Sequence, residues 1–204
     1  MILDLVANAG DISVPGLMAI PKELEKTTVL KARDGSLEAF EQILFHYEKV
    51  IFNYVYRLTS HRQEAEDLTQ ETFLKLYKNL SRIDPQKNLK SWIYRIATNT
   101  VYDWFRKKKN HQELFLIDDP ENPFEIADDH DASQNMEKIE NAEVVAKALE
   151  KVKPIYKTVL LLFYYQDFSY DEIADILSLP LNTVKTYLHR GRASLAEILK
   201  NPYI

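Results

Sequence analysis

Apolar residues recur at spacings of three and four along almost the whole chain, and no stretch alternates as a strand would. Leu37, Phe40, Ile43, Leu44, Tyr47, Ile51, Tyr54, Val55 and Leu58 build one face of a long helix, for which Ser36 is the expected N-cap. Ser60 with Gln63 has the form of a capping box for the next helix, whose inward stripe is Ala65, Leu68, Thr72, Leu76 and Leu80. The run "IDPQKN" breaks the period, and a third helix resumes at Leu89 with Trp92, Ile93, Ile96, Thr100 and Trp104 on one side. It runs out in Arg106 and the lysines 107–109.

Past Asn110 the helical period stops in a stretch with two prolines and many acids, which reads as a flexible linker. A second helical block is expected from about Met136, with Pro154 suited to the first turn of a helix containing "IYKTVLLLFYY". Ser169 and Glu172 form another capping box, opening a short helix with Ile173, Ala174 and Leu177. "SLPLN" then turns the chain, and a further helix is expected from Thr183. This is a helix-turn-helix pattern, with small Ala174 expected at the close approach of the two helices and Leu179 and Val184 setting their angle. Ser178 stands where many such turns have glycine. The expected fold class is all-α, with two small helical domains, 26–110 and 136–204. An acidic linker, 111–135, joins them, and a poorly ordered extension, 1–25, precedes them.

Composition narrows the function classes. The 204 residues include no cysteine, which excludes disulfides and thiolate metal sites and points to a reducing cytoplasm. The first residues lack a basic n-region and are interrupted by Asp4 and Asp11, and no apolar run approaches a membrane span. Neither a signal peptide nor membrane insertion is expected. The net charge is −5, with 26 basic and 31 acidic side chains. From Glu113 to Glu143 eleven acids face one base, Lys138, so that segment carries −10 and the remainder +5. Acidity is therefore segregated from two surfaces suited to a polyanion.

The first such surface is the helix from Leu181 onward, where Lys185, His189, Arg190 and Arg192 fall within two turns. Val184 and Leu188 face inward, leaving Lys185, Thr186, His189 and Arg190 outward. The second helix of such a motif enters the DNA major groove, where Lys and Arg donate to guanine and Thr touches phosphate or a thymine methyl. The bland alternative is a solvated hairpin face with cations at a helix C-terminus. The second surface interleaves Trp92, Tyr94, Tyr102, Trp104 and Phe105 with Arg95, Asn99, Arg106 and lysines 107–109, a mixture that suits unpaired bases and backbone phosphate. Core packing is the simpler role for either tryptophan alone. The acids of "DDPENPFEIADDHD" lack the fixed ligand spacing of a calcium loop and any rigid scaffold, so a metal-dependent nuclease is disfavoured, and no metal site or cofactor is expected.

The order "DLTQETFLKLYKNL", "LKSWIYRIATNTVYDWFRKKK", acidic linker, "FSYDEIADILSLPLNTVKTYLHRGRASL" resembles the small extracytoplasmic-function (ECF) type of bacterial sigma factor, over about Leu37 to Leu199. The resemblance implies a non-enzymatic initiation subunit whose partners are core RNA polymerase, promoter DNA and, as for many relatives, an anti-sigma factor. It implies that Asp67, Gln70 and Glu71 contact the clamp helices of the largest polymerase subunit. Arg95, Asn99, Arg106 and Lys107 would engage the −10 element. Asp84, Gln86 and Asn88 would lie in the loop holding a flipped base. Lys185, Thr186, His189 and Arg190 would read the −35 element. The alternative, a one-component helix-turn-helix regulator, calls for a ligand pocket where this chain instead has an acidic helix beside a basic aromatic one.

Overall fold

The computed structural model describes residues 22–84, 88–108 and 140–200, and every regular element among them is helical. In chain order the helices are α1 (Lys22–Arg33), α2 (Leu37–Thr59), α3 (Arg62–Lys78), α4 (Leu89–Lys108), α5 (Glu140–Lys151), α6 (Pro154–Tyr164), α7 (Tyr170–Leu177) and α8 (Leu181–Lys200). A single 3-10 turn, Leu80–Arg82, follows α3. The chain divides into two compact units, the first containing α1–α4 and the second built around α5, α6 and α8. None of the described helices is long and apolar enough to cross a membrane. The acidic stretch lies largely outside the described residues, as does the extension before Lys22.

In the first unit α2, α3 and α4 pack on one another, with α1 laid against α2. Ile43, Ile51, Val55, Ala65, Leu76, Ile93, Ala97 and Val101 are sealed from solvent. Two tyrosines sit in this apolar core. Tyr54 meets Tyr94 edge-on at 5.0 Å, and its hydroxyl shares a 2.7 Å hydrogen bond with Thr98 Oγ1. Burial raises both phenols above their ordinary pKa, so each stays neutral. Tyr94 is thus core, not part of the base-facing mixture expected for it. Leu37, assigned to the inward stripe by its spacing, is 63% exposed, and the first buried residue of α2 is Ala39.

Local signals at helix ends hold in part. Ser36 Oγ accepts from Ala39 N–H at 3.2 Å and caps α2. At Ser169 the box is reciprocal: Glu172 Oε2 accepts from the Ser169 N–H and hydroxyl, both at 2.9 Å, while Ser169 Oγ accepts from Glu172 N–H at 3.3 Å. Ser60 behaves differently. It closes α2 as a left-handed C-cap (φ 58°), its N–H donating to Tyr56 O, and His61 becomes the N-cap of α3 with no side-chain cap bond. Only Ser60 and His61 separate the two helices, so the left-handed stop takes Ser60 and the start of α3 falls to His61.

In the second unit α6 is buried along most of its length, from Tyr156 to Leu162, and packs against α8. Pro154 occupies its first turn with Lys153 as N-cap. The close helix approach is at Gly191 of α8, where an added Cβ would stand 3.1 Å from Leu160 Cγ and 3.3 Å from Tyr156 Cβ. Ala174, expected at the approach of α7 and α8, is half-buried on α7. Helix α8 begins at Leu181, two residues before Thr183, and Ser178 in the preceding turn has φ 56°. That left-handed conformation is why glycine suits the position.

Lys157 lies within this core at 5% exposure. Burial lowers its pKa from 10.5 to about 8, against an opposing pull from Glu150. A folded pKa below the unfolded one means that the folded state sheds the proton first, so the penalty is complete below about pH 8 and fades toward pH 10.5. Urea unfolding followed by circular dichroism is expected to show stability rising between pH 8 and 9.5, on the order of 1 kcal/mol. The rise should be absent from Lys157→Met; its persistence there would assign it to another group.

Candidate nucleic-acid interface

Three helix faces carry the residues singled out by sequence. On α3, Asp67 and Gln70 are exposed, and Glu71 is half-buried. The last is not a free acid, because Glu71 Oε1 lies 2.8 Å from Lys75 Nζ. Lys75 also donates to Thr100 Oγ1 at 3.1 Å and lies 3.7 Å from Asp103 on α4. Glu71 therefore joins a polar seam between α3 and α4. Leu74, 60% exposed, shares the face of Asp67, Gln70 and Glu71 by its three- and four-residue spacing. Sequence reading missed it, since a leucine in a helix reads as core until the packing shows which way it points.

On α4, Arg95, Asn99 and Arg106 are exposed and recur at four and seven residues, so they form one stripe along the helix opposite Ile93, Ala97 and Val101. Tyr102 continues the stripe and is half-buried. Arg106 pairs with Asp103, and Lys107 is exposed at the end of the helix. Trp104 is held from behind: Nε1 donates to Glu64 Oε2 at 2.7 Å, and Lys108 Nζ stands 4.4 Å above the ring and 3.3 Å from Glu64 Oε1. These contacts favour a packing role for Trp104 and leave Trp92, half-buried beside the stripe, as the better-placed ring. Upstream of α4, Asp84 and Asn88 are exposed, and Asn88 Oδ1 accepts from Lys90 N–H at 2.9 Å, capping the helix. Gln86 lies outside the described residues.

On α8, Val184, Leu188 and Leu195 are buried against the second unit, which leaves Lys185 and His189 exposed. Thr186 is half-buried, its hydroxyl donating to Asn182 O at 2.9 Å, and Arg190 is half-buried. Exposed Asn182 sits one turn before Lys185 and two before His189 and extends the same face, which spacing alone could have revealed. Among the described residues no cluster of acids and histidines could hold a metal ion.

Comparison with known proteins gives this geometry its family. The family model for Sigma-70 region 2 matches residues 44–111, and that for Sigma-70, region 4 matches residues 142–195. The ECF RNA polymerase sigma factor SigW of Bacillus subtilis is 32% identical over 184 residues, covering 86% of this chain and 97% of that protein. RNA polymerase sigma factor YlaC of the same organism is 32% identical over 166 residues, covering 81% of this chain and 92% of that one. Among solved structures, CnrH in complex with the cytosolic domain of CnrY matches in fold, with a TM-score of 0.64 at 22% identity over 86% of this chain and 97% of that chain. The sigma factor RpoE of Bartonella quintana, in complex with the anti-sigma factor NepR, matches with a TM-score of 0.61 at 26% identity, over 81% and 99%. With both sigma regions present in order and a relative of this identity spanning nearly its full length, the chain belongs to the ECF sigma factors of the sigma-70 family: non-enzymatic subunits that bind core RNA polymerase and direct promoter recognition.

Proposed function

We propose that the three helix faces divide the work of initiation. The α3 face of Asp67, Gln70, Glu71 and Leu74 engages the core polymerase. The α4 stripe of Arg95, Asn99 and Arg106, with Lys107 and the loop residues Asp84, Gln86 and Asn88, engages the −10 element. The α8 face of Lys185, Thr186, His189 and Arg190 reads the −35 element. On this reading the working domains are 26–110 and 136–204, tied by 111–135, and the protein acts in the cytoplasm. An anti-sigma partner is proposed as well, by likeness to the RpoE–NepR complex.

The observation that carries the reading is the stripe on α4. Two guanidinium groups and an amide lie exposed along one helix face with the core on the other. Cations spaced this way follow a phosphate backbone, while the flanking aromatic groups offer faces to unpaired bases. Transcription by core polymerase with and without the protein, followed by start-site mapping, tests it. Added protein should create a discrete set of starts, and Arg95→Ala with Arg106→Ala should abolish open-complex formation at them. Unchanged starts in that variant would remove the stripe from the mechanism.

A further inference from the structure

The second unit holds a cluster that promoter contact alone does not explain. The guanidinium of Arg192, on α8, lies 5.5 Å from the ring centre of Tyr164 and 5.8 Å from that of Phe163, both at the end of α6. Phe163 also stacks on Tyr170, the first residue of α7, at 5.1 Å with the planes 15° apart. Arg192 Nε and Tyr164 Oη are both shielded from solvent, and no carboxylate pairs with Arg192 among the described residues. Burial raises the Tyr164 pKa and the Arg192 cation opposes that shift, as expected for a charge held close to the ring. One cation thus ties together the end of α6, the start of α7 and the side of α8.

We propose that Arg192 is a positioning residue for −35 recognition, fixing the rotation of α8 about its own axis by its seat on Phe163 and Tyr164. The inference rests on the reading that α8 contacts the −35 element. The buried side of α8 is Val184, Tyr187, Leu188, Gly191 and Leu195, where the Tyr187 ring meets that of Tyr156 at 5.4 Å, and Arg192 adds a second directional contact outside that row. Arg192 borders that side and falls seven residues, two turns, after Lys185, so the two lie on nearly the same line along the helix. A roll of about 20° moves the rim of a helix of about 5–6 Å radius through about 2 Å, more than a bidentate base contact tolerates. A planar guanidinium stacked on aromatic faces supplies a directional stop, which an ammonium does only weakly.

The test uses holoenzyme reconstituted with the full chain and a promoter recovered by start-site mapping. The quantity read is the ratio of affinities for matched and scrambled −35 sequence, measured well below the melting temperature. Arg192→Met should lower that ratio about tenfold with core affinity unchanged. Arg192→Lys should recover only part of it. Phe163→Leu should lower it similarly, and combining Phe163→Leu with Arg192→Met should add little. If Arg192→Met does not fold, Arg192→Lys decides: a lowered ratio supports the inference and an unchanged one overturns it. Loss of melting temperature with an unchanged ratio, or equal losses on both sequences, also overturns it, since the first is stability and the second phosphate contact. Lys185→Ala and His189→Ala serve as the reference arm. If they lower the ratio and the Arg192 variants do not, the positioning role fails alone, whereas if none of them lowers it, the reading of α8 falls with it.

Discussion

Holoenzyme carrying Lys185→Ala is expected to bind its preferred −35 sequence about 10- to 100-fold more weakly, and scrambled DNA nearly as before. Lys185 is exposed on α8, while Val184 and Leu188 are sealed in the core, so its ammonium projects from a fixed base. A donor held this way reaches guanine acceptors in the major groove, and losing such a contact costs roughly 1–3 kcal/mol of discrimination. Competition binding against matched and scrambled duplexes at one salt concentration measures it. Equal losses on both would reduce Lys185 to a phosphate contact, whose effect would instead shrink as salt is raised.

The second large effect is expected on α3. Asp67→Lys combined with Leu74→Glu should weaken core polymerase binding by on the order of a hundredfold, by juxtaposing like charges and placing a carboxylate in the apolar contact. Asp67 and Leu74 are exposed, so the helical signal and melting temperature of the free protein should hardly move. Titration of core polymerase with labelled protein reads the affinity. Glu71→Lys is a less clean probe than its position in the sequence suggests, because it also breaks the pair with Lys75 that reaches Thr100 and Asp103. A fall in melting temperature is expected there, together with weaker binding. An unaltered affinity in the Asp67 and Leu74 variant would exclude this face from the polymerase contact.

The helical faces, two of the three helix starts tied to serines, and the turn before α8 were legible in the sequence, because each depends on neighbours within about four residues. Spacing places Arg95, Asn99 and Arg106 on one face, and Lys185 and His189 on another, before any packing is known. Spacing does not say which polar residues on α3 remain available. Glu64 is turned to Trp104 and Lys108 because α4 happens to run alongside, and Lys75, which Glu71 meets by local i, i+4 spacing, is drawn to Thr100 of α4, relations between residues 25 to 44 apart in the chain. The same distance dependence explains the other misses. Leu37 and Leu74 have core chemistry at solvent positions, Gly191 admits the close approach of α6 to α8, and Lys157 is taken into the core of the second unit. By itself, then, the sequence determined helix, cap and face, which are local properties of a 3.6-residue period. Only the tertiary structure decided which groups are consumed in holding helices together and which are left to meet DNA and polymerase, because burial and pairing are properties of surfaces that distant segments bring into contact.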